Sequence, residues 1–265
     1  MKMYLVGGAC RDEIMGRASN DIDFTVVLEP SDFPAPGTAV IIPDPYLLMR
    51  QKLVDMGFKI FVESPEFLTI RAQFPKGERA GIVDSSDIRK GYKALTADFV
   101  LARKESDYSD GRRPDSVQVG TLEDDLRRRD FCMNAIAKDP DTGEFIDPFK
   151  GVQDINDGVI RAVGTALDRL TEDALRAVRA LRFHVTLGFR IDHELMFAMQ
   201  TVSVLDKIAG SQISDERIKD ELNKMFKVNP VASIMAMNKF PALTTAMFNG
   251  RVNLEATLKQ KGFGK

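Results

Sequence analysis

Cysteine and histidine are scarce in this 265-residue chain, with two of each. Cys10 and Cys132 are too few for a disulfide framework and have no metal-ligand spacing, and His184 and His193 are too few for a histidine-rich metal centre. No apolar run approaches the length of a membrane-spanning helix, and no signal-like segment opens the chain, so a cytoplasmic location is expected. Charge of neither sign dominates: the formal net charge is −2. That balance does not exclude nucleic acid, because local patches carry such binding. Arginine does gather locally, at Arg112-Arg113, at Arg127-Arg128-Arg129, and at Arg176, Arg179 and Arg182.

What is present is an ordinary soluble composition, 44% hydrophobic and 29% charged, over a length that accommodates two domains. Short apolar runs separated by Pro- and Gly-containing turns fill the first half. Strands are predicted at Met3–Val6, Asp23–Val27, Val40–Ile42, Phe58–Val62, Leu68–Phe74 and Asp98–Ala102, and helices at Arg11–Met15 and Tyr46–Met56. Loops are predicted over Phe33–Gly37 and Pro75–Asp87. From Leu167 onward the periodicity is helical. The organisation predicted is therefore α+β: a mixed α/β head over residues 1–150, then a helical segment over 151–265.

The chemistry concentrates near the N-terminus. Gly7-Gly8 between a strand and a helix bares backbone N–H groups, and the positive end of the helix dipole, to an anion. Asp21 and Asp23, two apart on a strand, project the same way while Ile22 and Phe24 point into the core. Such a pair can bridge two divalent cations about 3.5–4 Å apart, and Mg²⁺ suits oxygen ligands beside phosphates. Either motif alone reads as a turn or a solvated strand end. Together, each on a fitting element, they read as a nucleotidyl-transfer site. A third carboxylate is sought on a neighbouring strand, with Asp98 at the start of an apolar run and Asp84, in loop-like surroundings, as its competitor.

Several motifs in order now carry a resemblance: Gly7-Gly8-x-x-Arg11-Asp12, Asp21-x-Asp23, Asp98 with Ala102-Arg103-x-Glu105, Arg128-Arg129-Asp130-Phe131-Cys132-Met133-Asn134-Ala135, Asp147-Pro148 with Gly151, Gly158–Gly164, and Glu172-Asp173-x-x-Arg176-x-x-Arg179-x-x-Arg182-Phe183. Over about residues 1–225 the chain resembles the class II tRNA nucleotidyltransferases, the CCA-adding enzymes, and the bacterial poly(A) polymerases related to them. The resemblance implies a polymerase β-like nucleotidyltransferase head followed by an all-helical neck and a partial body. It implies addition of C and A to a tRNA 3′ end from CTP and ATP, with two Mg²⁺ ions held by Asp21, Asp23 and Asp98. It further implies that Gly7, Gly8 and Arg11 cradle the triphosphate and that Arg129 and Asp130 contact the nucleotide, with Asn134 supporting their loop. Cys10 and Cys132 stand where the family usually has valine and threonine, and both read as packing changes.

The segment around Glu172 can also be read directly. At 100° per residue Ala174, Ala177, Val178, Leu181 and Val185 share one face, and Glu172, Arg176 and Arg179 the opposite one, pointing away from the core, with Asp173 beside Arg176. A carboxylate accepts from the exocyclic amine that cytosine and adenine share, and a guanidinium donates to a ring nitrogen. The resemblance implies these roles for Asp173 and Arg176, with Glu172 holding Arg176, and Arg179 and Arg182 reaching the triphosphate. The plain alternative is an i,i+4 ion pair on a solvated face.

Narrower chemistry stays open: a poly(A) polymerase or a CC-only or A-only enzyme, and, from another class, a non-catalytic RNA- or nucleotide-binding module. Family members usually continue into body and tail domains, so a homo-oligomer or a partner in place of the missing tail also stays open. Residues 211–265 carry nine basic against five acidic side chains, compatible with salt-dependent phosphate contact or with a solvated helical surface.

Overall fold

A computed structural model describes residues 1–19, 21–34, 44–75, 96–106, 116–210 and 212–249. The strand predicted at Val40–Ile42, most of the two predicted loops, Asp84, Arg112-Arg113 and the basic residues from Arg251 onward lie outside the described residues. The chain divides into two compact units, one running to Thr165 and the other beginning at Ala166. The change in sequence character near residue 150 falls one helix earlier than this division.

The described strands of the first unit include β1 (Lys2–Val6), β2 (Asp23–Val27), β3 (Lys59–Ser64), β4 (Thr69–Gln73), β5 (Thr96–Leu101), β6 (Arg103–Ser106), β7 (Ser116–Val119), β8 (Ala137–Lys138) and β9 (Phe145–Ile146). Seven of them form one sheet in the order β3-β4-β5-β2-β1-β8-β9, and β6 and β7 pair separately. Within the seven, only β2 and β5 run parallel. Alternation separates the two sheet faces. Ile70 and Ala72 of β4, Ala97, Phe99 and Leu101 of β5, and Phe24 and Val26 of β2 are buried. Phe24 and Phe99 stack at 5.2 Å between centroids, and Phe58 meets Phe99 edge-on at 5.0 Å. Arg71, Asp98 and Asp23 occupy the alternate positions and so line the other face.

Four helices complete the unit: α1 (Gly8–Ile14), α2 (Pro45–Asp55), α3 (Leu122–Arg127) and α4 (Gly151–Asp157). Three of them begin where the sequence offers a side-chain acceptor. Asp44 accepts from the N–H groups of Tyr46 and Leu47 at the start of α2. Thr121 and Asp124 cap α3 reciprocally, so Arg127-Arg128-Arg129 closes that helix rather than opening it. Cations favour this carboxyl end. Asp147 accepts from Gly151 and Val152 at 2.7 and 2.9 Å, which turns the chain into α4. There α4 packs on a single 3₁₀ turn, Cys132–Asn134, and this contact keeps it with the head.

The second unit is helical: α5 (Ala166–Glu172), α6 (Leu175–Leu187), α7 (His193–Ala198), α8 (Val202–Ala209), α9 (Asp215–Val228), α10 (Pro230–Lys239) and α11 (Pro241–Phe248). Its longest packed pair is α6 against α9, burying Ala177, Val178 and Leu181 on one side and Ile218, Leu222 and Met225 on the other. No described helix is long and apolar enough to cross a membrane.

Candidate active site

Strand pairing builds the charged row. Asp23 of β2 lies opposite Asp98 of β5, and Asp98 lies opposite Arg71 of β4. Directly opposed residues share a face, so Arg71, Asp98 and Asp23 form one line across three strands. Asp21 is exposed and sits just ahead of β2; the pairing begins at Ile22, whose carbonyl accepts from the Asp98 N–H at 3.0 Å. The reading of Asp21 and Asp23 as members of one strand is thus corrected by two residues. The Asp23 carboxyl is pushed up to about 6, first by burial and next by the charge of Asp21, with Asp98 adding to the rise and Arg129 and Arg71 opposing it.

Asp98 is already engaged. Arg71 Nε donates to its Oδ1 at 2.5 Å, and a second guanidinium nitrogen donates to Oδ2. Among the described residues no three Asp, Glu, His or Cys side chains gather closely enough to hold a metal ion. The donor chemistry still fits a hard divalent cation, because Asp21 and Asp23 offer carboxylate oxygens, and a cation would offset both the burial of Asp23 and the neighbouring Asp21 charge that raise its carboxyl. Asp98 joins them only when Arg71 yields.

β1 passes through Gly7 into α1. Gly7 has φ +73, a backbone that favours glycine, and a Cβ there would displace the Arg129 guanidinium, whose nitrogen would lie 2.7 Å away. The expectation that both glycines bare their N–H groups is corrected at Gly7, which donates to the Ile136 carbonyl at 3.2 Å. Gly8, Ala9 and Cys10 form the first turn of α1, where N–H groups have no acceptor within the helix. Buried Arg11 donates to Asp12 at 2.9 and 2.7 Å and to Asn134 Oδ1 at 2.8 Å. The Asn134 amide donates to Asp130 Oδ1 at 3.0 Å, which also accepts from the Phe131 N–H. One network therefore joins α1 to the 3₁₀ turn.

Arg129 borders the same glycines. It donates to Asp125 at 3.1 Å, while its Nε is buried with no hydrogen-bond partner. The same guanidinium lies against Gly7 through its Nη1, and its unsatisfied Nε–H is a donor that an anion can take. Asp125 holds the group in place: it is fully buried and also accepts from Thr25 at 2.7 Å and from Arg128 at 2.9 Å. Burial drives its carboxyl upward, but Arg128, Arg129 and the Thr25 hydroxyl outweigh burial and hold it well below the usual carboxylate range.

In the second unit the segment from Glu172 to Arg182 is not one helix. α5 ends at Glu172 and α6 starts at Leu175. The polar side expected to point away from the core is packed against α9. Arg176 donates to Glu172 at 2.9 Å and to the Arg169 carbonyl at 3.1 Å. Asp173 accepts from Arg217 at 2.7 Å and from the Leu175 N–H at 3.1 Å. Arg179 meets buried Glu221 at 3.4 Å, and Arg182 donates to the same carboxylate while its guanidinium lies 3.8 Å from the centre of the Phe183 ring.

Four charged residues in these networks had been given no role from the sequence: Arg71, Asp125, Arg217 and Glu221. Asp125 was within reach of it, four residues before Arg129 on a short helix. Glu221 also had a signal, an acid within the apolar stripe of Ile218, Leu222 and Met225. Arg71 had none, since only strand register brings it to Asp98. Cys10 and Cys132 are buried, donate to the Leu5 and Ala162 carbonyls, and have thiols pushed up to about 12, chiefly by burial. Both pack in the interior as thiols.

Comparison with known proteins gives one kind of answer. Residues 48–161 match the model of the poly A polymerase head domain. The CCA-adding enzyme of Leuconostoc mesenteroides is 37% identical over 223 residues, 84% of this chain and 45% of the relative, and that of Staphylococcus aureus is 36% identical over 246 residues, 90% and 51%. Among solved structures, the Bacillus stearothermophilus CCA-adding enzyme in complex with CTP is similar with TM-score 0.63 and 28% identity, covering 89% of this chain and 47% of that one. The Thermotoga maritima CCA-adding enzyme complexed with tRNA is similar with TM-score 0.65 and 25% identity, covering 94% and 48%. The chain spans about half the length of the curated relatives it matches.

Proposed function

Because the chain belongs to the family of CCA-adding enzymes and poly(A) polymerases, we propose that it is a template-independent nucleotidyltransferase adding C and A to a tRNA 3′ end from CTP and ATP. The observation that carries this reading is the row of Asp23 and Asp98 across paired strands, in the same unit as the close approach of Arg129 to Gly7. A binding module has no need of aligned carboxylates that repel one another. A cytoplasmic location, where tRNA is present, is part of the reading.

Asp21 and Asp23, with Asp98, would hold two Mg²⁺ ions, which supply charge neutralisation at the transferring phosphate and activation of the attacking hydroxyl. This chain's own side chains do the rest. Gly8 and the first turn of α1, with Arg11 and Arg129, take the triphosphate and receive the departing pyrophosphate. Asp130 and Asn134 set the nucleotide against them, and Asp98 orients the terminal 3′-hydroxyl for in-line attack. Asp173 and Arg176 discriminate the base, with Glu172 fixing Arg176. The family gives Arg179 and Arg182 a role at the triphosphate, and here Glu221 holds both.

The test is incorporation of labelled CTP and ATP, separately and together, into a tRNA transcript ending at the discriminator base. Addition that stops after C-C-A supports the reading. A long A ladder, or C-only or A-only addition, moves the chain to the matching narrower enzyme. RNA binding without any incorporation moves it to the non-catalytic class. Asp21→Ala is expected to abolish incorporation with an unchanged melting temperature, and full activity in that variant removes Asp21 from the site.

A further inference from the structure

Arg71 has no place in the chemistry above, yet both nitrogens of its fork are set on the carboxylate that this chemistry needs. Opposite Asp98 in the β4–β5 ladder, it presents one nitrogen to each oxygen of Asp98. Its side chain is 50% exposed against 23% for Asp98, so the guanidinium reaches in from solvent over a less exposed acid. The row across β4, β5 and β2 thus reads cation, acid, acid. A guanidinium in this position neutralises one of two carboxylates that share a face.

We propose that Arg71 is a positioning residue that occupies Asp98 in competition with a divalent cation, holding the third carboxylate out of the metal site until the cation displaces it. The inference rests on the assignment of Asp21, Asp23 and Asp98 as metal ligands. The fork takes a lone pair on each Asp98 oxygen and sets a positive charge beside them, so an arriving cation competes with the guanidinium for the same carboxylate. Arg71 can depart because its stem is flexible and half in solvent, where a lost ion pair is replaced by water at small cost. Arg71 thereby offsets one of the site's negative charges, and assembly of the full acid set is coupled to arrival of the cation.

The test is Mn²⁺ binding to the full chain without nucleotide, followed by the electron paramagnetic resonance signal of free Mn²⁺. Arg71→Gln is expected to tighten Mn²⁺ binding about threefold to tenfold, the range for loss of a part-exposed bidentate pair. Arg71→Lys, which keeps the charge without the fork, is expected to lie between. The gain is expected to vanish in the Arg71→Gln/Asp98→Asn double variant, an effect that general loosening of the strand would not produce. Unchanged or weaker Mn²⁺ binding in Arg71→Gln, with Asp23→Asn and Asp98→Asn still weakening it, overturns the proposal and leaves the metal reading intact. Mn²⁺ binding insensitive to Asp23→Asn and Asp98→Asn overturns the metal reading itself, and the proposal with it.

Discussion

Two aspartates show how one residue type is driven in opposite directions by its surroundings. Asp23 is pushed up to about 6 by burial and by its acidic neighbours, so its ionised form opposes folding at neutral pH when no divalent cation is present. The folded carboxyl holds its proton between about pH 4 and 6 while the unfolded one has lost it, so the penalty grows as pH rises through that window. Asp23→Asn is therefore expected to raise stability at pH 7 in chelator by on the order of 1–3 kcal/mol while abolishing incorporation, with the gain in melting temperature fading from pH 6 to pH 4. Asp125 has the opposite sign. Its carboxyl is depressed by two arginines, so its contribution is complete above the unfolded carboxylate range and is lost as pH falls below about 4. Asp125→Asn leaves two partly buried guanidiniums without their counter-charge, and a cost of about 3–5 kcal/mol is expected by denaturant titration at pH 7. A raised KM for nucleotide is expected as well, because Arg129 loses its anchor.

At the scale of elements, close backbone approach decides what neighbours what. Gly151 opens α4 against the Cys132–Asn134 turn, and a Cβ there would fall 2.0 Å from the Cys132 carbonyl oxygen. The turn carries Asn134, and through it Arg11 and Asp130. Gly151→Ala is expected to lower the melting temperature by several degrees and to weaken nucleotide binding, since about 1–3 kcal/mol of overpacking falls on backbone that cannot rotate aside. Calorimetry with and without CTP checks both effects. The start of α2 was legible in advance, where Asp44 is a local cap, whereas α3, capped by Thr121, was not predicted. The short strands β8 and β9 were not legible either, because two-residue strands carry no periodicity and exist only through pairing with β1 and with each other.

For the molecule as a whole, the sheet keeps its apolar face and its chemistry on opposite sides. Phe24, Phe58 and Phe99 pack on one side and Asp23, Asp98 and Arg71 line the other. Chelation of divalent cations is accordingly expected to stop incorporation while leaving the far-ultraviolet circular dichroism unchanged, and readdition of Mg²⁺ is expected to restore activity. The sequence by itself determined the head sheet's main strands, the helical second half, the Gly7-Gly8 and Asp21-x-Asp23 motifs and the family, because period, caps and ordered motifs are properties of neighbouring residues. It could not determine that Arg71 meets Asp98 across 27 positions, that Gly7 spends its N–H on Ile136, or that Arg179 and Arg182 converge on Glu221 from about 40 residues away. Those pairings depend on strand register and on which helix faces meet, and such contacts exist only once the chain has folded.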